Sequence, residues 1–197
     1  MEEPLGKGPY VDRNWADFLG KDLMHVMIYH KDRLPQDLVS EVDAALRRAV
    51  EAIRIRDVQP GYTNIAVMSS FVTLVSGETL GDEEILTRGV ERLRKLHAHT
   101  QELGTFSEYN SPTYTMVALR DLATFRHHVK NAQARAMVDD LYRVAWETLA
   151  QHFHPPTRQW VGPNSRYYAV FIGDETLRFI ERWTGSKVDF GFGEIPG

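Results

Sequence analysis

Tyr62–Thr79, YTNIAVMSSFVTLVSGET, decides the fold. Its only charge is Glu78, and Ile65, Val67, Met68, Phe71, Val72, Leu74 and Val75 cover nearly every face of a helix. A helix apolar all round is buried all round. The next stretch, Asp82–His99, reverses that character. Asp82, Glu83, Glu84, Arg88, Glu91, Arg92, Arg94 and Lys95 leave one stripe of Ile85, Leu86, Val90, Leu93 and Leu96, the mark of a helix with one wet face.

The alternation recurs downstream. Tyr114–Phe125 carries Met116, Val117, Ala118, Leu119, Leu122 and Phe125 with only Arg120 and Asp121 charged, and is expected to be buried like the first inner helix. Asn131–His152 is amphipathic. Tyr62-Thr63 and Tyr114-Thr115 open the two inner helices 114 − 62 = 52 residues apart, and the connections Thr105–Tyr109 and Thr157–Val161 carry aromatics at equivalent places. A period of about 50 residues made of inner helix, outer helix and crossing loop reads as an array of helical hairpins. The alternative is a chance likeness between two ordinary hairpins.

Upstream, Pro35–Arg56 is an amphipathic helix with Val39, Val42, Leu46, Val50 and Ile53 inward. Asn14–His30 is another, capped by Asn14 or Asp12, with Trp15, Phe18, Leu19, Leu23, Val26 and Met27 expected inward. Downstream, Tyr167–Phe171 reads either as a strand-like piece or as the start of a third inner helix, and Asp174–Trp183 as a short helix. The fold class is therefore all-α: repeated helical hairpins forming an incomplete (α/α) toroid or α/α superhelix over residues 1–184, with a glycine-rich tail, extended or frayed, over 185–197.

Composition narrows the function. Net charge is −4, and no basic run interleaves with aromatics, which argues against nucleic acid. The absence of cysteine removes disulfides, thiolate metal sites and cysteine nucleophiles. The longest apolar stretch, Ile65–Val75, is too short for a bilayer span, and the acidic N-terminus lacks an apolar signal core. A cytoplasmic protein with no membrane partner is expected, and no cofactor is indicated.

Ser107–Tyr114, SEYNSPTY, crowds Glu108, Tyr109, Asn110 and Tyr114 ahead of an inner helix whose N-terminus would favour an anion. Ser111 suits a cap and Pro112 a first turn. The plainer reading is a cap flanked by packing aromatics. Trp160–Tyr168, WVGPNSRYY, sits in the equivalent connection, so the two loops should be neighbours on one rim. Asn164 and Arg166 could bind a carboxylate there, unless Arg166 pairs with a structural acid such as Glu108. Asn64 would join the same rim. His152 and His154 are spaced i, i+2, unlike a helical metal pair, so an acid/base or helix-capping role is expected and a metal is not. His97, His99, His127 and His128 are expected to be solvated.

The motifs Phe106–Tyr114 and Gly162–Tyr167 resemble a pair found in bacterial α/α-toroid proteins of the heparinase- and alginate-lyase-like kind. The resemblance spans roughly residues 14–171. It implies a lyase that cleaves uronate-containing saccharides by β-elimination. By residue type, Asn110 and Arg166 would neutralise the substrate carboxylate, Tyr114 would act as base or acid, and His152 or His154 as its partner. Glu108, Tyr109, Asn64, Trp160, Asn164 and Tyr167 would bind substrate. A phenol, with an ordinary pKa of about 10, needs a nearby cation to serve as base. A closed toroid needs more hairpins than the three read here, which implies a homo-oligomer, a completing subunit or a larger parent chain. A reading of a different class is a non-catalytic helical-repeat module whose aromatic rim binds saccharide or a protein partner.

Overall fold

The computed structural model describes residues 12–166, 168–169, 171–185 and 187–190. The fold is all-α, with one two-residue strand pair among the described residues. Six long helices pair in sequence: α1 (Trp15–His30) with α2 (Gln36–Arg56), α3 (Thr63–Leu80) with α4 (Glu83–Leu103), and α5 (Tyr114–His128) with α6 (Ala132–His152). α1, α3 and α5 pack side by side as an inner row, and α4 packs on α6 in an outer one. No helix among the described residues is long and apolar enough to cross a membrane.

α3 is the axis of the core, buried from Thr63 through Gly77. It meets α4 so closely that two glycines are required. A Cβ on Gly77 would lie 2.4 Å from the Leu86 backbone nitrogen, and one on Gly89 would lie 2.4 Å from Leu74 Cα. Neither contact leaves room for a methyl group. Gly81, at φ +64°, turns the chain between the two helices, and the Asp82 carboxylate then caps α4 by accepting the Ile85 N–H at 3.1 Å.

Two inner-row expectations are corrected. α1 is rotated, so that Asp17, Gly20, Met24 and Met27 are buried while Trp15, Phe18 and Leu19 are exposed. The cause is local. A Cβ on Gly20 would stand 2.9 Å from Val72, so the smallest residue takes the closest approach, and buried Asp17 lies 3.6 Å from Arg56. α5, unlike α3, is buried on one side only, with Thr115, Met116, Ala118, Leu119, Asp121, Leu122 and Phe125 inward and Tyr114, Val117 and Thr124 half-buried.

After α6 the chain forms β1 (Phe153–His154), a 3-10 turn (Pro155–Thr157) and β2 (Gln159–Trp160), paired antiparallel with Phe153 opposite Trp160. The described residues 168–169 and 171 belong to neither a strand nor a helix. α7 (Asp174–Trp183) follows, with Phe179 stacked on Trp146 at 6.2 Å. The described part of the expected tail packs against the domain. Phe190 is buried against Phe153, and its N–H donates to Glu181 Oε1 at 3.3 Å.

Candidate functional site

The hairpin rhythm delivers three connections to one end of the inner row: the one entering α3, the one entering α5, and the one that follows β2. The last two touch directly. Ser165 N–H donates to the Tyr109 carbonyl at 2.9 Å, and the Ser111 hydroxyl donates to the Arg166 carbonyl at 3.4 Å. The Ser111 hydroxyl also accepts the Tyr114 N–H at 3.1 Å, satisfying the first donor of α5, although Thr113 holds the N-cap position and both Ser111 and Pro112 lie ahead of the helix.

Glu108 ties all three connections together. It is buried, its Oε2 accepts the Asn64 backbone N–H at 2.7 Å, and its own N–H donates to Thr63 Oγ1 at 3.3 Å. A carboxylate at the first turn of α3 is favoured by the free N–H groups and the helix dipole. Its Oε1 takes an ion-paired hydrogen bond from Arg166 Nη1. Arg166 Nη2 donates to the Tyr114 hydroxyl at 2.9 Å, and the guanidinium lies over the Tyr114 ring at 3.9 Å and the Tyr62 ring at 4.9 Å. Tyr168, 70% exposed, stands edge-on to Tyr114 with centroids 5.6 Å apart.

The electrostatics follow from this packing. Burial opposes the charge on Arg166, but hydrogen bonds with Tyr168, Glu108 and Tyr62 outweigh it and hold the guanidinium protonated beyond its ordinary range. Burial raises the Tyr114 phenol above its ordinary value, Tyr168 and Tyr62 add to the rise, and Arg166 opposes it without prevailing. Tyr114 is therefore a neutral phenol at physiological pH, suited to donating a proton and unsuited to removing one. Arg166 is matched by Glu108, so it offers little uncompensated charge to a ligand carboxylate.

Asn110 and Trp160 come to the same place with other duties. Asn110 is fully buried at φ +49°, and its Nδ2 donates to the carbonyls of Val161 (3.0 Å) and Pro163 (3.1 Å). Its Oδ1 accepts the indole N–H of Trp160, which is itself buried. Every polar atom of the amide is engaged within the protein, so Asn110 locks one loop to the other and is not placed to neutralise a substrate carboxylate. Trp160 likewise presents no ring to a ligand. Asn64 contributes its backbone N–H, while its side chain is buried.

His152 and His154 separate. His154 is exposed and bonded to Thr157 Oγ1 at 2.9 Å, away from the cluster. His152 Nδ1 lies 2.8 Å from the Thr148 carbonyl, which can only accept. The proton therefore sits on Nδ1, and Nε2 is left to accept the Tyr109 hydroxyl at 2.7 Å. This phenol–imidazole pair is half-buried, and its geometry is one in which a proton could pass from the phenol to the ring. Asn164 is half-buried in the same loop, and Tyr167 lies outside the described residues. His97 and His99 are not simply solvated: they bond Asp140 at 3.1 Å and Ser107 Oγ at 2.7 Å.

Tyr62 and Thr63 belong to the cluster as well, although the sequence does not single them out as site residues, and Tyr168 joins it as one of the aromatics of the rim. Tyr62 had a signal, since it is the counterpart of Tyr114 one repeat earlier. No set of three or more His, Asp or Glu among the described residues is placed to hold a metal.

A family model described as a domain of unknown function (DUF8769) matches residues 8–176, a span that takes in all three connections. Neither the curated proteins nor the solved structures contain a match.

Proposed function

We propose, for a chain that belongs to the DUF8769 family, that the rim formed by residues 62–64, 108–114, 160–166 and 168 binds saccharide. The observation that carries this reading is the stack of Arg166 on Tyr114 and Tyr62 beside the exposed ring of Tyr168. Aromatic faces at a rim accept the C–H faces of a sugar ring, and phenols and guanidinium N–H groups beside them serve its hydroxyls. Because Glu108 cancels the charge of Arg166, the surface suits neutral sugars at least as well as uronates.

The test is calorimetric titration with neutral and uronate oligosaccharides. Tyr168→Ala, which alters an exposed side chain, should weaken binding about tenfold while leaving the circular dichroism spectrum unchanged. Unchanged affinity in that variant refutes the reading.

A second reading, uronate lyase, is favoured by the Tyr109–His152 hydrogen bond. His152 Nε2 would take the Tyr109 proton as the phenolate oxygen removes the proton α to the substrate carboxylate. The C–H electrons form the new double bond, and the departing glycosidic oxygen takes its proton from Tyr114, which burial keeps protonated. It stands second because Arg166 would have to leave Glu108 to meet the carboxylate. Unsaturated product, seen by ultraviolet absorbance and lost in both Tyr109→Phe and His152→Ala, would raise it above the first.

A further inference from the structure

At the other end of α5 lies a cavity of about 630 Å³, bounded by α1, α5, α6 and α7. That volume is in the range of small-molecule sites. Three guanidiniums, Arg120, Arg126 and Arg135, line it, and no carboxylate among the described residues does. In a chain of net charge −4 this is a local excess of positive charge. Arg120 reaches out to Glu175 at 2.7 Å and Arg126 to Asp139, both pairs largely exposed. Exposed pairs hold weakly and exchange readily for a better partner. Arg135 has no carboxylate partner among the described residues; its Nη1 donates to the Arg126 carbonyl at 2.9 Å.

The rest of the wall is aromatic. The guanidinium of Arg120 lies 5.4 Å from the centre of Phe179, and that of Arg126 lies 5.5 Å from the centre of Tyr142. Phe179 is backed by Trp146 and adjoins Trp183, which is half exposed to the cavity mouth. On the α1 side His25, His127 and His128 cluster, with centroids 4.8 Å apart for the last two, and Tyr29 OH lies 2.8 Å from His128 Nε2. Burial, with the neighbouring His127 and His25, lowers His128, and burial with Lys21 lowers His25, so His25 and His128 line the cavity as neutral hydrogen-bonding groups.

We infer that this cavity is a second ligand site, separate from the rim, for a ring-bearing oxyanion: a phosphate or sulfate ester attached to a planar or sugar ring. Guanidinium forks match the geometry and charge of a tetrahedral oxyanion, and the Phe179–Trp183 wall receives the ring. Neither feature depends on the rim's binding saccharide.

Titration of the whole chain with phenyl phosphate, phenyl sulfate, adenosine monophosphate and inorganic phosphate tests it, with affinity followed by calorimetry and the histidine ring signals by NMR. At least one ring-bearing ester should bind saturably and shift the His127 and His128 signals. The comparison of phenyl phosphate with phenyl sulfate identifies which ester the site takes. Arg135→Gln should weaken that ester about tenfold or more, and Trp183→Ala should weaken it while sparing inorganic phosphate. Both residues are exposed, and a circular dichroism melt checks that the variants fold. Absence of saturable binding by any ring-bearing ester, or affinity indifferent to Arg135→Gln, overturns the proposal.

Discussion

Replacing Asn110 by alanine removes the acceptor for the Trp160 indole N–H and both donors to the facing loop. Val161 and Gly162 are exposed, as is Pro163, so the two carbonyls that lose a donor can turn to water. Trp160 is 7% exposed, and its N–H cannot. Leaving it unsatisfied costs about 1 to 3 kcal/mol. Alanine must also adopt φ +49°, at about 1 to 2 kcal/mol. The expected loss is therefore about 2 to 5 kcal/mol. Asn110→Gly avoids the steric part and should recover about 1 kcal/mol of it. Trp160→Phe breaks the same hydrogen bond from the other side, so the double variant should lose less than the sum of the two singles. Urea unfolding followed by far-ultraviolet circular dichroism measures all four, through midpoints at constant slope. An Asn110→Ala cost under about 0.5 kcal/mol, or full additivity with Trp160→Phe, refutes the lock.

Two further outcomes follow from the core. Burial, opposed by Arg56 and Arg92, lifts the Asp17 carboxyl from 3.8 to about 7. Between those values the folded state holds a proton that the unfolded state has lost, so this group's contribution falls as pH rises from about 4 to about 7 and is constant above that. The full span is on the order of 4 kcal/mol, and Asp17→Asn should remove that part of the slope; parallel stability–pH curves for the variant and the parent chain would refute the assignment. Gly89→Ala gains about 1 kcal/mol of helix propensity, but its methyl group meets the Leu74 backbone, and forcing α3 from α4 should cost more. Thermal unfolding should show a net fall in midpoint, and a rise would mean that the helices do not need their close approach.

The fold was legible where a single physical signal dominated. Tyr62–Thr79 could only be an interior helix, because burying none of its faces would expose a continuous apolar cylinder. The convergence of the rim is legible in the 52-residue offset, and with it the Glu108–Arg166 pair. The rotation of α1 was not. Trp15, Phe18 and Leu19 outweigh Gly20 on any hydropathy scale, whereas the packing was settled by the room beside Val72 and by Asp17 facing Arg56. The duty of Asn110 is hidden for another reason. Its partners are main-chain carbonyls and an indole some 50 residues away, and backbone acceptors leave no mark in a sequence. The cluster of His25, Tyr29 and His128 was hidden likewise, because α1 and α5 meet across about 100 intervening residues.

The strained residues of the rim give the strongest reason to regard it as built and rigid. Asn110 and Arg166 both have left-handed backbone, at φ +49° and +48°, and neither is glycine. Each conformation costs about a kilocalorie or more and persists only where its surroundings over-determine it. Here each loop supplies the constraint for the other. The Asn110 amide is fixed by Val161, Pro163 and Trp160, while the Arg166 carbonyl is held by Ser111 and its side chain by Glu108 and Tyr114. Neither loop could keep its unfavourable residue alone, so the two must order together. Glu108 extends the unit to α3, the most deeply buried helix, by accepting the Asn64 N–H. The Tyr62, Tyr114 and Arg166 surface is thus organised before any ligand arrives, and a ligand that meets it loses little affinity to ordering the protein.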